Sequence, residues 1–135
     1  MYSQAVADDI CDQIADGTPL RVICRTEGMP AWRTVYHWLE ERPEFAARFA
    51  RAREIGFDAI AEECLDIADA VEYDTVKTEG GDRANTEWIT RSRLRVDTRL
   101  KLLSKWDPKR YGDKLETTVK GGPANVMLSA TDAAL

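Results

Sequence analysis

The strongest constraint in this sequence is a run of roughly 28 residues, opening at Pro43, in which apolar positions fall on two adjacent helical rows. Phe45, Phe49, Ala52, Gly56, Ile60, Cys64, Ile67 and Val71 step by three or four and so share one face of a helix. Ala46, Ala50, Phe57, Ala61, Leu65 and Ala68 form a second row beside it. The 42 residues ahead of Pro43 are too few to cover both rows. Another helix or other subunits must do so, and the run reads as an oligomerisation element in a mainly α chain.

A covering helix lies downstream, from about Asn85 to Trp106. Ile89, Val96, Leu100 and Leu103 make a stripe flanked by Trp88 and Trp106, suited to packing antiparallel on the long helix, and Asp107-Pro108 ends it. Glu72 to Thr86, centred on Gly80-Gly81-Asp82, has no periodicity and is expected to be the loop that reverses the chain. The two helices are opposite in charge. Pro43 to Glu72 holds eight acids and three arginines, whereas Trp88 to Lys114 holds nine bases and three acids. Exposed pairs contribute only about 0.2 to 1 kcal/mol each, so this complementarity, within a subunit or between neighbours, selects partners while apolar burial supplies affinity. The oligomerisation candidates are Phe49, Phe57, Ile60, Leu65 and Ile67 on the first helix, with Ile89, Val96, Leu100 and Leu103 on the second.

Ahead of Pro43 the pattern changes to three short helices. The first runs from about Ser3 to Asp16 and stops at Gly17. The second is expected to use Thr18 as N-cap and Pro19 as its first helical residue, with Leu20, Ile23 and Cys24 inward before Gly28 breaks it. The third, Ala31 to Glu41, follows the Gly28-Met29-Pro30 turn and turns Val35, Trp38 and Leu39 inward. This arrangement spells helix-turn-helix. The span from Gly28 to Thr34 is one residue longer than in common bacterial repressors of this kind, which leaves the angle of the third helix open.

In such a fold the early residues of the third helix meet base edges, so Arg33, Thr34 and His37 are the readout candidates. Arg21, Arg25 and Arg42 are candidates for phosphate contacts, with Trp32 beside them. Met1 to Arg42 holds seven acids against four arginines, so a bundle that binds only protein remains an alternative on motif and charge alone.

The rest of the sequence narrows the chemistry. A net charge of -5 argues against a protein that coats DNA indiscriminately. Cys11, Cys24 and Cys64 form no CxxC pair and sit among helix-forming neighbours, as packed thiols do. His37 is the only histidine and has no cysteine or carboxylate arranged with it for metal binding or nucleophilic catalysis. Lys120-Gly121-Gly122-Pro123 lacks the spacing and lysine-hydroxyl pair of a phosphate loop. The acids of Glu62-Glu63 and Asp8-Asp9 diverge by about 100° around their helices and make no two-carboxylate site. No catalysis, metal or cofactor is expected. Apolar runs fall far short of the roughly 20 residues that span a bilayer, and the N-terminus has no basic-then-apolar leader, so a soluble cytoplasmic chain is expected. Leu115 to Val119 and Ala124 to Ser129 are strand-compatible around Lys120 to Pro123; they form either a hairpin that neighbours complete into an intersubunit barrel, or a tail.

Several segments, in order, resemble the small terminase subunits of tailed bacteriophages: Ala7-Asp8-Asp9-Ile10-Cys11, Val22-Ile23-Cys24-Arg25, Gly28-Met29-Pro30 and Thr34-Val35-Tyr36-His37-Trp38-Leu39. Phe49-Ala50-Arg51-Ala52, Ile67-Ala68-Asp69, Arg93-Leu94-Arg95-Val96-Asp97-Thr98-Arg99 and Lys109-Arg110-Tyr111-Gly112-Asp113-Lys114 continue the resemblance, which covers Ala7 to Lys114. The last two are the most distinctive. The resemblance implies a homo-oligomeric ring with DNA-binding heads around a helical hub, and a C-terminal portion that can build a barrel and contact the large terminase subunit. It further implies recognition of viral double-stranded DNA where packaging begins, in the host cytoplasm during infection, and regulation of the large subunit's ATPase and nuclease. The expected division is a head at 1–42, an oligomerisation domain at 43–114 and a β segment at 115–135. DNA is expected to wrap around the heads; threading through the ring would instead need Arg91, Arg95, Arg99 and Lys105 to line the lumen. A phage helix-turn-helix transcriptional regulator, acting as a two-fold dimer, is the alternative of a different class, and an interaction-only scaffold is a third.

Overall fold

The computed structural model describes residues 1–113; the strand-compatible segments and the barrel expected beyond them lie outside the described residues. The order of elements is α1 (Gln4–Ala15), α2 (Leu20–Cys24), α3 (Trp32–Glu41), α4 (Pro43–Asp69), β1 (Thr75–Thr78), β2 (Gly81–Ala84), α5 (Thr86–Trp106) and α6 (Pro108–Tyr111).

Local chemistry sets most of these boundaries. Ser3 caps α1, its hydroxyl accepting from the Val6 amide, and Gly17 ends the turn beyond with φ +89°, a conformation that favours glycine. Pro19 is the N-cap of α2, with extended ψ of 143°, and not its first helical residue as expected. The helix is correspondingly only one turn and a half. Arg42 is both the C-cap of α3 and the N-cap of α4, so the two helices meet at a single extended residue, and Pro43 supplies the fixed φ of a first helical turn.

The head core gathers Ala7, Ile10, Cys11 and Ile14 of α1, Ile23 of α2, and Val35 and Trp38 of α3. Phe45, Phe49 and Ala52 close it from α4, so the first part of the long helix is itself part of the head core. Trp38 and Phe45 stack edge-on with each other and with Tyr2, whose centroid is 4.9 Å from that of Trp38. The crossing of α1 over α4 depends on Gly56, where a Cβ would collide with the Ile14 carbonyl oxygen. Arg48 of α4 holds Asp8 of α1 at 2.6 Å.

Beyond the head, α5 returns along α4 in the antiparallel sense, since Arg99 meets Glu63 at 2.7 Å and Trp106 stacks on Phe57. The chain reverses through an antiparallel hairpin rather than the structureless loop expected, with Thr75 opposite Ala84 and Thr78 opposite Gly81. All eight strand residues are exposed, so no alternation of apolar and polar residues could announce it. Pro108 does end α5 as expected, but it also opens α6, because proline suits a first helical position. Arg110 binds Asp58 at 2.8 Å and the Glu54 carbonyl at 3.1 Å, and the Tyr111 hydroxyl donates to Asp58. A Cβ at Gly112 would clash with the Pro108 backbone, which accepts from the Gly112 amide at 3.0 Å. Together these contacts pin α6 onto α4.

The oligomerisation candidates divide in the structure. Phe49, Phe57, Ile67 and Leu103 are already buried within the chain and, in this conformation, have no surface left for another subunit. Ile60 and Val96 are half-buried. Leu65, Ile89 and Leu100 are exposed; the face of α5 turned to α4 carries Ser92, Val96, Arg99 and Leu103 in place of the expected stripe. Apolar residues occur on more than one face of α5, and spacing alone did not say which face α4 would cover.

Candidate nucleic-acid interface

The start of α3 and the body of α2 bring three of the expected DNA-contact residues together. The Arg21 guanidinium lies 4.0 Å from the centroid of the Trp32 ring and that of Arg33 lies 4.9 Å from it. Tyr36, one turn along α3, meets the same indole edge-on at 5.8 Å. The electron-rich indole close to both guanidiniums offsets the repulsion between the two positive charges, at a worth of about 0.5 to 1 kcal/mol per exposed contact. The arrangement offers two donors to an anion and an aromatic edge to a base or sugar. Sequence reasoning missed Tyr36, although its spacing of four from Trp32 places both on one helix face.

The other candidates sit differently. Arg25 is the exposed C-cap of α2, and among the described residues it makes no ion pair. Thr34 is half-buried on α3. His37 is exposed and faces Glu41 at 3.3 Å and Glu40 at 3.8 Å on its own helix. Arg42 is not presented as a free cation: it is half-buried at the corner between α3 and α4, with its guanidinium 3.7 Å from the Tyr2 ring centroid. Its Nε has no partner among the described atoms. The cationic face is therefore Arg21, Arg25 and Arg33.

Below this face runs a groove of about 440 Å³ between head and hub, lined among others by Ile14, Leu20, Tyr36, Phe57, Ile60 and Trp106. The three thiols lie away from any such chemistry. Burial pushes Cys11, Cys24 and Cys64 up from the usual thiol range, so they stay protonated and pack as small apolar groups. Among the described residues no group of His, Cys, Asp and Glu is arranged to hold a metal ion, and no helix is long and apolar enough to cross a membrane.

The family model described as bacteriophage Sf6, terminase small subunit-like, matches residues 2–118. This chain belongs to that family. Solved structures of three mutant forms of the terminase small subunit of the bacterial virus Sf6 are similar to it, each at 32% identity with a TM-score of 0.66. Each match covers 98% of this chain and 96% of the Sf6 protein. No curated protein sequence matches the chain.

Membership of the terminase small subunit family gives the two most distinctive sequence segments a physical reading. In Arg93 to Arg99, Val96 and Arg99 are the residues turned to α4, and Arg99 carries the tie to Glu63. In Arg110-Tyr111-Gly112, both side chains reach Asp58 and the glycine makes room for the Pro108 carbonyl. Both segments hold the hub of this terminase small subunit together; neither belongs to the cationic face of the head.

Proposed function

We propose that the protein works as the recognition subunit of a viral DNA-packaging machine, a homo-oligomeric ring that binds viral double-stranded DNA where packaging begins and regulates the large terminase subunit. The observation that carries the DNA-binding part is the Arg21–Trp32–Arg33 cluster at the start of α3, in a helix-turn-helix head. The chain supplies recognition and geometry, and the ATPase and nuclease chemistry belongs to the large subunit. It acts in the host cytoplasm during infection. Structurally the division proposed is a head ending near Arg42, a hub to residue 114 and a C-terminal segment for contact with the large subunit. Several weak heads on one ring bind through avidity even though each subunit is acidic.

DNA wraps around the heads rather than threading through the ring. Of the four cations that threading would place in a lumen, Arg99 is committed to Glu63, while Arg91, Arg95 and Lys105 make no ion pair among the described residues, so the wrapping route rests on the cationic face of the heads. Phosphate contacts on the outer heads need no such release.

The test is duplex-DNA affinity measured against salt for the parent chain and for Arg21→Ala/Arg33→Ala. Loss of the Arg21 phosphate contact lowers the slope of log affinity on log salt by about 0.9, and loss of the Arg33 base-edge contact lowers the affinity itself by about 1 to 3 kcal/mol. Unchanged affinity and slope in the variant would remove this face from the DNA. A mass by light scattering that stops at a dimer would replace the packaging reading with that of a two-fold regulator.

A further inference from the structure

The groove between head and hub takes no part in the DNA contacts proposed above, yet its lining is selective. Its floor comes from both regions: Leu20 of α2, Phe57 and Ile60 of α4, and Trp106 at the end of α5. Trp106 stacks on Phe57 with centroids 5.9 Å apart and is still 47% exposed. Tyr36, 48% exposed on α3, lines the groove from the head. A volume of about 440 Å³ falls within the range of about 300 to 1,000 Å³ usual for binding pockets.

The charges on this lining are of one sign. Arg21 and Arg53 line the groove, no carboxylate among the described residues does, and neither arginine is in an ion pair there. In a chain with 24 acids against 19 lysines and arginines, such a lining selects for an anion. The Arg53 guanidinium lies 5.3 Å from the centroid of the Phe57 ring, which puts a positive charge beside the apolar floor. A matching occupant is apolar in its body and negative at its edges. Duplex DNA has the charge but not the body, because its bases are stacked inside and its phosphates would meet only the arginines. A peptide can have both. We infer that the groove receives a segment of a partner protein in which large apolar side chains are flanked by carboxylates. The apolar side chains lie on Phe57, Ile60 and Trp106, and the carboxylates pair with Arg21 and Arg53.

Arg21 then belongs to two sites, since it lies 4.0 Å from the Trp32 ring in the cationic face and also lines the groove. A carboxylate that draws Arg21 into the groove withdraws one of the three cations of that face from DNA. Partner and DNA therefore weaken each other, and by the same factor in both directions. This antagonism rests on the DNA reading above, whereas the docking does not.

The test uses the full chain labelled at isoleucine and leucine methyl groups. It is titrated with short synthetic peptides in which two of leucine, phenylalanine or tryptophan stand between aspartates, and with the same set between lysines. The aspartate peptides are expected to shift the Ile60 and Leu20 methyl signals, and the lysine peptides to leave them in place. Arg53→Glu, at an exposed position outside the cationic face, is expected to weaken the aspartate peptides on the order of 10-fold while duplex DNA still binds. Saturating aspartate peptide is expected to lower the duplex-DNA affinity of the parent chain. The docking is overturned if no aspartate peptide moves these methyls, if both sets move them equally, or if Arg53→Glu keeps the parent affinity while fully helical. A deoxynucleoside monophosphate that moves the methyls when the peptides do not makes the groove a nucleotide site, and an assembled mass lowered by Arg53→Glu gives it to a second copy. Either result overturns the docking too. Duplex DNA that binds and is not weakened by saturating peptide overturns the antagonism. A parent chain that binds no duplex DNA overturns the DNA reading, and the methyl shifts still decide the docking.

Discussion

The head and the hub of this chain are built from the same kind of helix but finish their cores differently. In the head, Ala7, Ile10, Ile23, Val35 and Phe45 are wholly withdrawn from solvent, and α1, α3 and α4 cover one another. In the hub, α5 runs 21 residues with Leu103 as its one buried residue, while Ile89, Leu94, Leu100 and Leu102 remain exposed along it. The head is a completed core and the hub is half of one. In the proposed ring another copy covers these exposed apolar residues, and the hub's stability then belongs to the assembly while the head's belongs to the chain.

The largest expected effect tests the head's side of this comparison. Phe45→Ala removes a fully buried ring in contact with Tyr2, Trp38 and Phe49, and should cost about 3 to 5 kcal/mol in denaturant unfolding. Leu65→Ala on the hub, measured on the dissociated chain, should fall within about 0.5 kcal/mol because Leu65 touches little within the subunit. The distinction between finished and unfinished cores fails if the two truncations cost the same.

Gly56→Ala addresses the joint between the two regions and is expected to be intermediate. Its new methyl group would meet the Ile14 carbonyl, forcing α1 off α4 at a cost of about 1 to 3 kcal/mol. Since α1 carries four buried residues of the head core, the loss should appear in the head's amide protection and not in that of α5. Protection lost equally in both would show that head and hub unfold as one unit.

Features were legible in the sequence where local chemistry is strong and became illegible where tertiary context decides. Caps and turn residues such as Ser3, Gly17 and Pro43 placed α1 and α4 within a residue or two, and the two apolar rows of α4 foretold that more than a head would be needed to cover them. The hairpin was hidden because Thr75 to Thr78 and Gly81 to Ala84 bury nothing, leaving only the glycines at its turn as a cue. Among the candidate site residues, Arg21, Trp32 and Arg33 were singled out by motif position, but the approach of Arg21 to the Trp32 ring depends on how α2 meets α3. Arg42 reads from sequence as one more arginine; only the corner between α3 and α4 turns it onto Tyr2.

The smallest expected effect concerns the pin at the end of the hub and is best read as a pH response. The hydrogen bond from Tyr111, and then the one from Arg110, holds the Asp58 carboxyl below its ordinary value of 3.8. A lowered folded-state pKa means that this contact stabilises the docked α6 fully above the ordinary value and is lost as pH falls through the lowered one. The same bond raises the Tyr111 phenol above its ordinary value of 10.0, so that its share persists below that value and is lost as pH rises through the raised one. The pin is therefore complete from mildly acidic to mildly alkaline conditions. Tyr111→Phe removes the largest cause of the Asp58 shift while keeping the ring. In a carboxyl titration followed by NMR, Asp58 of that variant should move upward toward 3.8, with α6 amides losing protection at a higher pH than in the parent chain. An unmoved Asp58 would mean that Arg110 alone sets the pin and that the tyrosine hydroxyl serves only packing.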